Sequence, residues 1–94
     1  MNIAAFKQTL TQLEPNANWS APLKALWYEA KGDWHTAHAL VDHLSDQDSA
    51  HVHAYLHRVE GDQWNANYWY SRAKEEPYLG TLEQEWEALM QKFL

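Results

Sequence analysis

The chain has no cysteine, so neither a disulfide nor a thiolate metal site can form. Three glycines and three prolines leave little material for strand-to-strand turns and suit helices joined by short loops. No apolar run approaches the ~20 residues needed to cross a bilayer. Basic charge is scarce as well. Seven Lys and Arg stand against thirteen Asp and Glu, a net charge of −6. Nucleic-acid binding needs clustered basic residues to neutralise phosphates, and anionic membranes need a basic surface. The expectation is therefore no nucleic-acid or membrane partner. A neutral or basic one fits better. The opening residues, Met1 to Lys7, show no basic segment followed by an apolar run, so a cytoplasmic location is expected. Catalytic signatures are missing too. There is no Gly-rich phosphate loop, no Gly-x-Ser-x-Gly elbow and no cysteine nucleophile. Ser20, Ser45, Ser49 and Ser71 fall at caps, in loops or on helix surfaces, and Ser49 with His53 is the only Ser/His proximity. A non-enzyme with no cofactor is expected.

What is present is aromatic and periodic. The 94 residues, enough for one domain, carry six Trp and five Tyr. Ala30-Lys-Gly-Asp33 and Val59-Glu-Gly-Asp62 lie 29 positions apart. At that offset Leu23 pairs with Val52, Leu26 with Tyr55, Trp27 with Leu56, Ala37 with Ala66, and Val41 with Tyr70. Leu23, Leu26, Trp27 and Ala30 recur at i, i+3, i+4 and i+7, as do Val52, Tyr55, Leu56 and Val59, which places each set on one helical face. Gly32 and Gly61 stop those helices, and Asp33 and Asp62 cap the next ones. Ala37, Leu40, Val41 and Leu44 form the stripe of the following helix, matched by Ala66, Trp69, Tyr70 and Ala73. These last place Trp69 and Tyr70 in the core. Ile3, Phe6, Leu10 and Leu13 make an N-terminal amphipathic helix. Ser20 is an N-cap, and Thr81 with Gln84 forms a capping box. The spacing predicts six helices, at 2–14, 20–31, 33–45, 48–60, 62–75 and 81–93.

The run Ala54-Tyr-Leu-His-Arg-Val-Glu-Gly-Asp62, with Ala66, Trp69, Tyr70, Ala73 and Pro77, resembles a tetratricopeptide-type repeat. Tyr68 to Ala73 is similar to the second helix of Sel1-like repeats. The first copy keeps Tyr28, Gly32, Asp33, Ala37, Val41 and Leu44, and the resemblance covers residues 21–77. It extends to small bacterial proteins and adds no mechanism there. The period of 29 is shorter than the roughly 34 residues of a standard tetratricopeptide repeat. The resemblance implies an all-α, tetratricopeptide-like stack of antiparallel helix pairs. Its repeats would span approximately 21–45 and 48–77, with capping helices at 2–14 and 81–93, and its role would be binding protein.

Several residues are candidates for a site. His53, His57 and Glu60 stand at i, i+4 and i+7 on one flank of the fourth helix, a spacing that can hold Zn²⁺ or Ni²⁺. The competing reading is packing, because His57 takes the slot that Tyr28 holds in the first copy. His35, His38 and Asp42 read as a solvated face. Trp64 and Tyr68 fall off the core stripe. They either form an exposed patch, joined by Trp19 and Tyr78, or pack under Trp86 and Leu89. The leading expectation is a protein- or peptide-binding module with a groove beside helices 20–31 and 48–60. Tyr28, His53, His57, Trp64 and Tyr68 would contact the partner. A metal- or small-polar-ligand site at His53, His57 and Glu60 is the first alternative. A homodimer built on the aromatics is the second.

Overall fold

The computed structural model describes residues 1–94 and is all-α, with six helices and no strand. They are α1 (Ile3–Thr9), α2 (Ala21–Ala30), α3 (Trp34–Val41), α4 (Gln47–Val59), α5 (Gln63–Arg72) and α6 (Leu82–Phe93). No helix is long and apolar enough to cross a membrane.

The 29-residue recurrence is written into the backbone of two turns. Gly32 and Gly61 adopt φ of +86° and +84°. A Cβ added at either would meet nothing within 4 Å. The glycines are therefore required for their left-handed backbone and not for space. Asp33 N–H donates to the Tyr28 carbonyl and Gly32 N–H to that of Glu29. Asp62 N–H donates to His57 and Gly61 N–H to Arg58 in the same way. This is the paired 6→1 and 5→2 closure of a Schellman ending. Asp33 and Asp62 then cap the following helices by accepting from the backbone N–H of Thr36 and Asn65. These bonds hold both carboxyls below their ordinary range. The third such turn, after α5, repeats the pattern with Glu75 N–H to Tyr70 and Lys74 N–H to Ser71. Here a lysine occupies the left-handed position, at φ +58°.

α2 packs chiefly on α3 and α4 chiefly on α5, giving two helical hairpins. α3 and α2 touch α4, and α6 lies across α4 and returns to α1. The main core gathers Phe6, Leu26, Trp27, Val41, Leu56, Leu89 and Met90, all essentially inaccessible to solvent. Ala54, Ala66 and Tyr70 form a smaller cluster between α4 and α5. Two alanines facing each other let these helices approach closely. Ser20 and the Thr81–Gln84 capping box work as the sequence predicts.

Three helices are shorter than predicted, at 2–14, 33–45 and 62–75. α1 ends at Thr9, where the backbone tightens: Leu10, Thr11 and Gln12 N–H donate to the carbonyls of Lys7, Gln8 and Thr9. Lys31 Nζ then ties down the next segment by donating to the carbonyls of Leu10 and Gln12, and the Thr9 hydroxyl donates to the Phe6 carbonyl. Leu13 is consequently almost fully exposed instead of lying on an apolar stripe. α3 closes at Asp42 and leaves Leu44 half-buried beyond it. α5 ends at the Lys74 turn.

One buried charge fixes α6. Glu85 has no exposed surface, yet all its demands are met. Arg58 Nη1 donates to Oε1 at 2.8 Å, and the Tyr70 hydroxyl donates to Oε2. Arg58 Nη2 donates to the Gly80 carbonyl at 2.9 Å. Burial, then the Glu85 carboxylate, drives the Tyr70 phenol above its ordinary range. The network ties α4, α5 and α6 together at a point where any one missing member strands the others.

Candidate functional site

On another side of α4 the hairpins meet through rings. His53 and His57 stand one turn apart on α4, as the sequence requires, and stack at 4.9 Å between centroids. His38 of α3, predicted to lie on a solvated face, turns instead into the same cluster. Its Nε2 sits 3.0 Å from Nε2 of His53. The reason is packing. Trp34 stacks flat on His38 at 4.7 Å and 12°, and the Trp34 indole N–H donates to the Leu56 carbonyl at 2.7 Å. That bond anchors α3 to α4 and presses the imidazole inward. From the other hairpin Trp69 stacks on His53 at 3.9 Å and 21°. Trp69 is thus half-buried, packed over His53 and against the Ala54–Ala66–Tyr70 cluster, and Tyr70 alone of the pair is fully buried.

The polar contacts define the chemistry. Glu60 does not face His53. Its Oε1 lies 2.7 Å from Nδ1 of His57, one turn back on the same helix. Asp42 stands 3.6 Å from Nδ1 of His38. Both carboxylates favour a proton on Nδ1, which leaves Nε2 of each ring as an acceptor. The His53 Nε2–H then donates to His38 Nε2. Nδ1 of His53 is buried and makes no hydrogen bond. A buried polar atom without a partner is uncommon and calls for a reason beyond folding. Burial, then the nearby His38 and His57, pushes His53 down to about 4. Burial lowers His38 too, against the pull of Asp42. His38 and His53 are therefore neutral near pH 7. Ring nitrogens of His38, His53 and His57 all lie within 4.8 Å of one another. Those of His57 and the carboxylates of Glu60 and Asp62 form a second such group.

The rings continue outward. Tyr68 meets Trp69 edge-on at 5.3 Å, and Arg72 lies over both and donates to the Tyr68 hydroxyl. Trp34, His38, His53, Trp69 and Tyr68 thus form one unbroken row across α3, α4 and α5. Trp64, one turn before Tyr68, is 78% exposed and Tyr68 46% exposed. The structure decides between the two readings of these residues: they do not pack under Trp86 and Leu89. Trp19 and Tyr78 do not join them. Trp19 stacks on Phe6, and Tyr78 packs beside the Ala54–Ala66–Tyr70 cluster.

The five partner-contact candidates do not line one groove. Tyr28 packs edge-on against Trp27 and borders a separate hollow of about 250 Å³ with Glu14, Pro15, Ala17, Lys24 and Leu40. His53 and His57 are buried under their aromatic neighbours. Only Trp64 and Tyr68 are open to solvent. Sequence reasoning missed the joining of His38 to His53, because helical spacing relates residues within one helix and not between two. It also missed Glu85. A signal was there, since Glu85 stands at i+3 from Leu82 and i−4 from Leu89, on the apolar side of its helix.

No family model, no curated protein and no solved structure matches this chain.

Proposed function

We propose that this chain is a non-enzymatic protein- or peptide-binding domain whose contact surface is the outer end of the ring row, with Trp64, Tyr68, Trp69 and Arg72 on α5. The observation that carries the reading is the exposure of Trp64 and Tyr68 beside a ring row that rigid stacking holds in place. Large aromatics on a rigid support lose little conformational entropy on contact, which is why Trp, Tyr and Arg dominate interface energetics. The net charge of −6 suits a neutral or basic partner segment. No triad or oxyanion arrangement surrounds the histidines, which favours binding over catalysis.

The test is selection of a displayed peptide library on the wild-type domain, followed by affinity measurements on a Trp64→Ser/Tyr68→Ser variant. Both positions are exposed, so the variant should keep its helical circular dichroism and a stability within about 0.5 kcal/mol of wild type. Selected peptides should bind it at least roughly tenfold more weakly. Peptides that bind both proteins equally, or no enrichment at all, would overturn the proposal. A wild-type dimer that these substitutions convert to monomer would replace it with self-association.

A further inference from the structure

The geometry points to a divalent transition-metal site formed by His38, His53 and His57, which adjoins the proposed peptide-binding surface through Trp69. Three imidazoles from two helices converge, with ring nitrogens within 4.8 Å of one another. In a tetrahedral site, metal–nitrogen bonds of about 2.0–2.1 Å place ligand nitrogens about 3.3 Å apart. The His38–His53 pair, at 3.0 Å, must open by a few tenths of an ångström, and His57 must close by at most about 1.5 Å. Rotations of the imidazoles about their side-chain bonds cover that range.

Two features separate this cluster from histidines that are merely packed. The first is its outer ring of acceptors. Metal-bound histidines commonly donate their second N–H to a carboxylate, which fixes the tautomer and raises ligand basicity. Glu60 Oε1 accepts from His57 Nδ1 at 2.7 Å, and Asp42 stands 3.6 Å from the same nitrogen of His38. In both rings Nε2 is left to bind. The second is His53, whose residue is 97% buried by its 3% exposure and whose Nδ1 has no hydrogen-bond partner. A core built only for stability would fill such a place with an apolar ring. Three neutral nitrogen ligands and no thiolate suit Zn²⁺, Cu²⁺, Ni²⁺ or Co²⁺ over Mg²⁺ or Ca²⁺, which prefer oxygen. Three protein ligands leave the fourth position for water or a partner's side chain. His38 is the partly exposed ligand, with 27% of its side chain accessible, and marks the side from which the ion enters.

The experiment titrates the full chain with Co²⁺ alone and with Zn²⁺ alone. Co²⁺ should bind one per chain, with the intense visible absorption of a tetrahedral centre, and Zn²⁺ should displace it. Trp34 and Trp69 stack on the ligands, so their fluorescence should change along the same isotherm. His38→Gln, at the partly exposed position, should weaken binding at least tenfold, and His43→Gln should leave it unchanged. Histidine ring ¹⁵N shifts of the wild-type chain provide a check that needs no variant. Zn²⁺ should move a ring-nitrogen signal of His53 together with the Nε2 signals of His38 and His57. Absence of saturable binding, an octahedral Co²⁺ spectrum, equal affinity in His38→Gln, or shifts confined to the exposed His35 and His43 would each overturn the site.

Discussion

Two polar clusters flank α4, and they are solved in opposite ways. Around Glu85, a charge with no exposed surface has both carboxylate oxygens paired, one to Arg58 and one to Tyr70. Around His53, the three rings share one direct contact at 3.0 Å, and a buried nitrogen goes without a partner. Both carry polar groups into the interior, at a cost in desolvation. The first recovers that cost through complete pairing and locks α6 in place. The second does not recover it within the chain. Complete pairing makes the first cluster a strut, whereas the second is held chiefly by ring stacking on Trp34 and Trp69.

The sharpest way to break the comparison is at Glu85. Glu85→Ala leaves Arg58 without its carboxylate and Tyr70 without its acceptor, and should cost about 3–5 kcal/mol in chemical denaturation. A cost below about 1 kcal/mol would mean that Arg58 simply turns to water and that the strut is not one. Acid should act next, and on the other cluster. His53 folds with its pKa lowered from 6.5 to about 4, so the unfolded chain binds the proton more readily. The stability this contributes is complete above about pH 6.5 and is lost as pH falls from there to about 4. His38 and His51 are lowered also and add in the same direction. Melting temperature measured across that window should drop steadily, and His53→Leu should flatten the drop. A smaller effect is expected for His53→Leu at neutral pH. It removes the unpaired nitrogen along with the stacking on Trp69, and its net cost should stay under about 1.5 kcal/mol. A loss as large as that of Glu85→Ala would make the histidines structural and erase the contrast.

The smallest expected effect tests a difference between turns. Lys74 holds the left-handed position that glycine holds at 32 and 61. Lys74→Gly should stabilise the chain by about 0.5–1 kcal/mol in the same denaturation assay, since a Cβ is strained at φ +58°.

Elements whose cause is local were legible in the sequence. The Gly-Asp turns, the Ser20 cap and the Thr81–Gln84 capping box depend on residues within five positions of one another, and they stand where spacing puts them. The path of the chain after α1 was not legible, because Lys31, some twenty positions away, holds the carbonyls of Leu10 and Gln12. The site was legible by halves. His53 and His57 share one helix, so their proximity follows from its pitch. His38 arrives through the packing of α3 on α4, which no period along the chain encodes. Glu60 was placed in the right neighbourhood, but it meets His57 at Nδ1 and does not face His53. Tyr28 was grouped with the histidines by its repeat position, yet it borders a different hollow.

The contact of α6 with α1 carries a topological consequence. Met1, Ile3, Met90 and Leu94 border a common hollow of about 480 Å³, so the two ends of the polypeptide are neighbours. A short linker joining Leu94 to Met1 would close the backbone into a loop without displacing a helix. Fresh ends could then be cut between Asp42 and Asp46, where α3 and α4 are joined by exposed or half-buried residues. Such a permutant would hold His38 and the pair His53/His57 at opposite ends of its chain, so that only folding, and never sequence proximity, could bring the three rings together.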